Sequence, residues 1–152
     1  MPKKKPAPRA KKAAAAAKST PPPAPPLPRV LSIEDDAAMG QFLRAVFTVQ
    51  GFAFDLASDG RLGLTLAKQR RPDLVILDLL MPYKDGFEVL RELKEDPVTQ
   101  PIPVIILSSS SREEDMVKAL NGGAEDFVTK PFRARELMAR VRKVLGKAPD
   151  PQ

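Results

Sequence analysis

Five short apolar runs alternate with longer amphipathic stretches between residues 29 and 145, and this alternation restricts the chain to few folds. The predicted strands are 29–33, 52–57, 74–77, 104–107 and 126–129. Two of these runs, LVIL and VIIL, have no polar position, which predicts burial on both faces. Strands of this kind form a parallel sheet that helices cover on both sides. The sequence therefore predicts a doubly wound α/β domain with five parallel strands and five helices.

The first 28 residues differ from the rest of the chain in charge and in proline content. They contain seven lysine and arginine residues, no acidic residue and nine of the 17 prolines. Such a segment buries too little apolar surface to offset the entropy of ordering, so we predict a disordered basic tail at 1–28. The domain is predicted at 29–147, followed by a short tail at 148–152. The basic tail is interpreted either as a spacer or as a non-specific contact to a polyanion: DNA, a membrane surface or an acidic protein.

The composition excludes several kinds of chemistry. The 152 residues include no cysteine and no histidine, so disulfides, thiolate or imidazole metal ligands and Ser-His-Asp catalysis are all excluded. Carboxylates, hydroxyls and lysines remain, and they suit a hard cation bound by oxygen. No run approaches the roughly 20 apolar residues of a membrane span or the apolar centre of a signal peptide, so we expect a cytoplasmic protein without a transmembrane segment.

Polar side chains follow four of the predicted strands, at the edge of the sheet where ligands bind in open α/β folds. Glu34–Asp36 follow the first strand, Asp78 the third, Ser108 the fourth and Lys130 the fifth. Because carboxylates only a few ångströms apart repel one another, we expect a divalent cation among them, and oxygen ligands favour Mg²⁺. Lys130 and Ser108 could stabilise an arriving phosphoryl group, and Asp78 could accept it as an aspartyl phosphate.

Two alternative hypotheses for the function fit the same residues less well. A phosphatase of the haloacid dehalogenase type usually has a second aspartate two residues after its nucleophile, where this chain has Leu80. A flavodoxin-like FMN site binds phosphate through the loop after the first strand, but Glu34–Asp36 would repel a phosphate there. Both alternatives are therefore disfavoured.

Four motifs in order resemble the receiver domain of two-component response regulators. They are VLSIEDD at 30–36, LVILDLLMPYKDGFEVL at 74–90, IPVIILSSS at 102–110 and GGAEDFVTKPF at 122–132. The resemblance covers residues 29 to about 145 and implies the flavodoxin-like receiver fold, with a parallel sheet in strand order 2-1-3-4-5. The strand order comes from the resemblance, whereas the parallel α/β class follows from the sequence pattern itself.

The resemblance also implies roles for individual residues. Asp78 would be the phosphoacceptor, and Mg²⁺ would be bound by Asp35, Asp78 and the backbone carbonyl of Leu80, with Glu34 acting through water. Ser108 would supply the switch hydroxyl, Lys130 the phosphate-binding ammonium, Phe127 the switch aromatic and Pro131 a cis-proline. Two further residues, Pro82 and Gly86, are expected from their turn chemistry to shape the loop after the third strand. From the residues alone, Phe127 could equally be part of the core, and Asp36 is expected to cap the first helix.

The resemblance further implies partners. The phosphodonor would be a phosphohistidine on a sensor histidine kinase or a phosphotransfer protein. The receiver would not be a turnover enzyme, but would catalyse its own phosphorylation and dephosphorylation. Because only 146–152 follow the last predicted helix, we expect a stand-alone receiver that signals through the fourth helix, fifth strand and fifth helix. That face is predicted to include five basic residues, interpreted either as contacts to a partner or as an ordinary solvated surface: Arg133, Arg135, Arg140, Arg142 and Lys143.

A second hypothesis remains open at this point. The chain could be a receiver-shaped interaction module that does not depend on phosphorylation and whose basic tail binds a polyanion.

Overall fold

The computed structural model describes residues 26–146, which contain five strands and five helices in strict alternation. In chain order they are β1 (Arg29–Ile33), α1 (Ala37–Val49), β2 (Ala53–Ala57), α2 (Gly60–Arg70), β3 (Leu74–Leu77), α3 (Gly86–Glu95), β4 (Val104–Ser108), α4 (Glu113–Asn121), β5 (Asp126–Thr129) and α5 (Ala134–Val144). The five strands form one parallel sheet in the order β2-β1-β3-β4-β5. The predicted fold class, strand order and number of helices are confirmed.

The register of the sheet brings the carboxyl ends of neighbouring strands together. Ile33, the last residue of β1, pairs with Leu77, the last residue of β3. Ser108 at the end of β4 pairs with Thr129 at the end of β5. The residues that follow these four strands therefore emerge at one edge of the sheet, which is where the polar residues of the sequence motifs lie.

The core has two layers, one on each face of the sheet. Alternate strand residues point to opposite faces, so that Leu31 and Ile33 pack with α2, α3 and α4 while Val30 packs with α1 and α5. In β3, Leu74–Leu77 are buried at all four positions. The apolar runs of the sequence therefore predicted burial on both faces correctly.

Two strand boundaries differ by one residue from the sequence prediction. Strand β2 begins at Ala53 rather than Phe52, because the Phe52 amide donates to the carbonyl of Phe47 at the end of α1 and the two rings meet edge to face. Strand β4 extends to Ser108, whose backbone pairs with Thr129.

The predicted segments at the two ends of the chain lie mainly outside the described residues. The basic tail overlaps the structure only at 26–28, and the C-terminal tail does not overlap it. Pro28 is already part of the fold, since its carbonyl accepts a hydrogen bond from the amide of Ala53 at 2.9 Å. Within residues 26–146, every helix is too short or too polar to cross a membrane.

Aspartate side chains cap the N-termini of three of the helices. The Asp36 carboxylate accepts hydrogen bonds from two amides in the first turn of α1, and Asp59 and Asp85 cap α2 and α3 in the same way. An N-cap carboxylate pairs amides that have no partner within the helix and interacts favourably with the helix dipole. Asp36 therefore caps α1, as the sequence predicted.

Gly86 allows the loop after β3 to pass close to the segment that carries Asp78. A Cβ atom on Gly86 would overlap the Cα of Leu79 and lie 2.5 Å from the carbonyl oxygen of Asp78. Both are backbone atoms, which cannot move aside as a side chain can. The α3 helix consequently begins directly against the chain that carries Asp78.

We predict that Gly86→Ala lowers the free energy of unfolding by about 1–3 kcal/mol, because the added methyl group overpacks a rigid backbone. Urea denaturation measures this change. The matched control is Gly122→Ala, where the nearest atoms to the added Cβ would be Leu90 Cδ2 and the carbonyl oxygen of Lys118, both at 3.2 Å. Equal losses in the two variants would contradict the prediction.

Candidate functional site

Three carboxylates meet at the carboxyl edge of the sheet. Oxygen atoms of Glu34, Asp35 and Asp78 all lie within 4.8 Å of one another. Glu34 and Asp78 are only 3% and 5% exposed, whereas Asp35 is exposed to solvent. The cluster forms because β1 and β3 are neighbours in register, so that the residues after them emerge side by side. The sequence had predicted that these three residues would lie together.

Lys130 directly follows the carboxyl end of β5, and its side chain extends to this cluster. Its Nζ donates a hydrogen bond of 2.9 Å to Glu34 Oε1 and lies 3.5 Å from Asp78 Oδ2. Its backbone amide donates to the carbonyl of Ser108 at 2.8 Å, which fixes the start of its side chain at the end of β4. Among the described residues, the two buried carboxylates of the cluster thus share one lysine.

The protonation equilibria reflect this crowding. Burial raises the pKa of Glu34, and the charge of Asp78 raises it further, against the lowering effect of the hydrogen bond from Lys130. Burial alone would lower the pKa of Lys130, but the hydrogen bond to Glu34 and the charge of Asp78 outweigh it, so the pKa is raised. Burial and the neighbouring charges therefore act together on both groups.

The loop after β3 is anchored on the Asp78 side chain. The amide of Leu80 donates to Asp78 Oδ1 at 3.1 Å, while the Leu80 side chain is 56% exposed. Further along, the carbonyl of Pro82 accepts from the amide of Lys84 at 2.8 Å, and Tyr83 between them has a φ of 72° and a fully exposed side chain. Tyr83 is not among the residues predicted from the sequence, because no local signal distinguishes it from a core aromatic.

The remaining residues of the predicted site lie around the same edge. Ser108 is completely buried, and its Oγ accepts a hydrogen bond of 3.1 Å from the amide of Ser110. Phe127 is 7% exposed and belongs to the core layer shared with α2, α3 and α4. The peptide bond between Lys130 and Pro131 is cis. The structure thus places Ser108 and Lys130 at the carboxyl ends of β4 and β5, whereas Phe127 lies within β5 in the core.

One hydrogen-bonded pair beside the site was not predicted. Ser110 Oγ donates to Asp115 Oδ2 at 2.6 Å, joining the loop after β4 to the first turn of α4. A serine and an aspartate five residues apart give no recognisable pattern in a sequence, because the contact depends on how the loop turns into the helix.

Three of the five basic residues expected on one partner face are divided between two surfaces. Arg140 pairs with Asp126 through two hydrogen bonds of 2.9 and 3.0 Å, which holds it against β5. Arg142 instead donates to Gln50 Oε1 at 2.7 Å, and with Arg135 it lines an apolar groove between α1 and α5. Arg135 and Arg142 therefore lie on the α1 side of α5 and Arg140 on the β5 side, since helical periodicity turns residues two positions apart to different sides. The placement of Arg133 and Lys143 on the partner face stays a prediction.

Comparison with known proteins identifies the family. The model of the response regulator receiver domain matches residues 30–142, and the chain belongs to this family. The DNA-binding dual master transcriptional regulator RpaA of a Synechocystis species is 40% identical over 119 residues, covering 78% of this chain and 49% of that protein.

Solved structures agree with this assignment. The receiver domain of the Francisella response regulator 1452 is 34% identical, with a TM-score of 0.73 over 78% of this chain and 97% of that chain. The receiver domain of the sensor histidine kinase PA1611 of Pseudomonas aeruginosa has the same fold, with a TM-score of 0.74 and 24% identity over 80% of this chain and all of that chain. That structure was solved with a magnesium ion coordinated in its active-site cleft.

The chain spans about half the length of the curated relatives it matches, several of which are named as DNA-binding response regulators. The prediction of a receiver without an output domain is not confirmed by this comparison and stays a prediction.

We predict that Asp78→Asn raises the free energy of unfolding of the metal-free protein by about 1 kcal/mol, because it removes the repulsion between two buried carboxylates. The pKa of Glu34 should also fall, since Asp78 contributes to its upward shift. Urea denaturation without divalent cations and an NMR titration of the Glu34 carboxyl measure the two effects. Asp36→Asn is the control, because asparagine caps a helix about as well as aspartate. An Asp78→Asn protein of unchanged or lower stability would contradict the prediction.

Proposed function

We propose that this receiver accepts a phosphoryl group from a phosphohistidine donor onto Asp78, and that the modification alters a surface that binds another protein. The observation that carries this proposal is the cluster of Glu34, Asp35 and Asp78 with Lys130, in a chain that belongs to the receiver family. A buried carboxylate beside one ammonium and two further acids suits the transfer of a phosphoryl group, which needs positioning and charge neutralisation more than acid–base catalysis.

The donor set of the cluster fits Mg²⁺. All the side-chain donors are oxygens, and two of the three carboxylates are buried. Burial raises the pKa of Glu34, and the charge of Asp78 raises it further. Asp35, Asp78 and the Leu80 carbonyl would hold the ion directly, and Glu34 would act through a water molecule. When bound, Mg²⁺ supplies positive charge that neutralises carboxylate and phosphoryl oxygens. The magnesium ion in the Pseudomonas receiver supports this assignment.

The transfer itself uses residues of this chain. A carboxylate oxygen of Asp78 attacks phosphorus, the new O–P bond forms as the P–N bond of the phosphohistidine breaks, and the donor imidazole leaves with the electron pair of that bond. Lys130 Nζ already lies 3.5 Å from Asp78 Oδ2, so it can donate to a phosphoryl oxygen when its contact with Glu34 loosens. Ser108 supplies a hydroxyl that can donate to a second phosphoryl oxygen.

The proposed role is that of a signalling phosphoacceptor, not of a turnover enzyme, because Asp78 is itself modified. Hydrolysis of the acyl phosphate by water returns the receiver to its starting state. The output is assigned to the surface of α4, β5 and α5, through Ser108 and the aromatic ring of Phe127. A sensor histidine kinase or a phosphotransfer protein in the cytoplasm is the expected donor.

We predict that the full chain binds beryllium fluoride, a phosphoryl analogue, in the presence of Mg²⁺ and that it acquires one phosphoryl group from acetyl phosphate. Asp78→Asn should abolish both the binding and the modification. Asp36→Asn should retain both, because the Asp36 side chain caps α1. ¹⁹F NMR and intact-mass spectrometry are the measurements. Modification of Asp78→Asn at the wild-type level would overturn the proposed function.

A second candidate function rests on the charge of the N-terminal segment. Residues 1–28 carry seven basic residues and no acidic residue, which suits electrostatic binding of a polyanion independently of Asp78.

We predict that the full chain binds duplex DNA with an affinity that falls steeply as salt increases, and that residues 29–152 do not, because the positive charge resides in the deleted segment. Fluorescence anisotropy with labelled DNA at several salt concentrations measures this. Asp78→Asn serves as the matched variant. If its binding of DNA and of protein partners equals that of wild type while deletion of 1–28 abolishes both, the phosphorylation-independent module is favoured. Equal DNA binding by the full chain and the truncated chain excludes a role for the basic tail.

A further inference from the structure

We propose that Asp115, in the first turn of α4, is a positioning residue that acts through Ser110 to hold Ser108 in a resting arrangement and so weakens the binding of a phosphoryl group at Asp78. The inference rests on the proposed function and adds to it a specific regulatory contact. We refer to Ser108, Ser110 and Asp115 as the α4 latch.

The hydrogen bonds of the α4 latch form a continuous chain. Ser108 Oγ accepts from the amide of Ser110 at 3.1 Å. The Ser110 hydroxyl donates to Asp115 Oδ2 at 2.6 Å and accepts from the amide of Arg112 at 3.3 Å. The backbone of Ser110 therefore binds the switch residue, and its side chain binds the helix.

The bond between Ser110 and Asp115 is the strongest part of this chain. A distance of 2.6 Å is typical of a hydroxyl that donates to an ionised carboxylate, and such bonds are about twice as strong as neutral ones. The Ser110 hydroxyl has a single proton, which is used here, so it has no further hydrogen to donate to the acidic site. Asp115 consequently fixes the position of Ser110 and, through it, that of the Ser110 amide.

Ser108 cannot rotate independently of this chain. Its side chain is completely buried, and its oxygen is held by the Ser110 amide. When the hydroxyl turns toward a phosphoryl group on Asp78, that hydrogen bond must lengthen or Ser110 must move with it. Movement of Ser110 in turn strains its bond to Asp115, so the latch opposes the rotation.

Helix α4 is suited to respond to such a strain. Of its nine residues, all within the described part of the chain, Ala119 alone is buried. The cap residue Arg112 makes no side-chain capping bond, so Ser110 Oγ supplies the acceptor for its amide. A helix with so little buried surface shifts at low energetic cost. The α4 latch therefore links the occupancy of Asp78 to the position of α4.

The link works in both directions. If a phosphoryl group at Asp78 favours release of the latch, then a partner that draws α4 away from Ser110 must favour the phosphoryl group by the same factor. Because α4 belongs to the proposed output surface, a bound target would stabilise the phosphorylated form through Asp115.

The test is the affinity of the full chain for beryllium fluoride with Mg²⁺, measured by ¹⁹F NMR. Asp115→Ala and Ser110→Ala should each bind about five- to tenfold more tightly than wild type, which is within the usual range of coupling between sites. The double variant should bind no more tightly than either single variant, because each change alone already removes the hydrogen bond between Ser110 and Asp115. Asp115→Asn keeps an acceptor without the charge and should lie between wild type and Asp115→Ala.

Glu114→Ala is the matched control. Glu114 lies in the same turn of α4, and its carboxylate interacts with the helix dipole as that of Asp115 does. It pairs instead with Arg112 at the surface. The affinity of the Glu114→Ala variant for beryllium fluoride should stay within about twofold of wild type. Circular dichroism verifies that each variant is folded. Unchanged or weaker binding by Asp115→Ala and Ser110→Ala, with wild type binding normally, overturns the α4 latch alone. A wild-type chain that does not bind beryllium fluoride overturns the proposed function and the latch together.

Discussion

The balance of charge at the carboxyl edge of the sheet is the constraint on which the site depends. Glu34 and Asp78 are buried within reach of each other and of Asp35, and Lys130 bridges the two buried carboxylates. Burial of like charges is unfavourable unless a cation or proton compensates them, and the raised pKa of Glu34 expresses that cost. Under the proposed function, a divalent cation bound by these oxygens would compensate the charges without histidine or cysteine ligands.

The parallel sheet holds these residues in place through its apolar core. Its strands are buried on both faces, so the core on either side fixes their register without any contribution from the polar residues. The acids and Lys130 are then carried at strand ends, where their backbone is held and their side chains converge. Gly86 completes the arrangement by letting α3 begin directly against the segment that carries Asp78.

The α4 side of the site is built differently from the α3 side. Helix α3 buries Gly86, Val89, Leu90 and Leu93 in the core, whereas α4 buries Ala119. The loop that leads to α4 is held by the hydrogen bonds of the α4 latch in place of extensive apolar packing. A change in charge at the site is therefore expected to displace the lightly packed α4 more readily than the firmly packed α3.

The sequence by itself determined the elements and the residues at their ends. Apolar periodicity gave the five strands to within one residue, and Asp36 was recognisable as a cap because capping is a local interaction. The convergence of Glu34, Asp35 and Asp78 also followed, since parallel strands place their carboxyl ends together. Only the tertiary structure decided that Lys130 pairs with Glu34, that Ser110 binds Asp115, and that Arg142 turns toward α1. These contacts depend on the reach and direction of side chains across packed elements, which no local pattern in a sequence records.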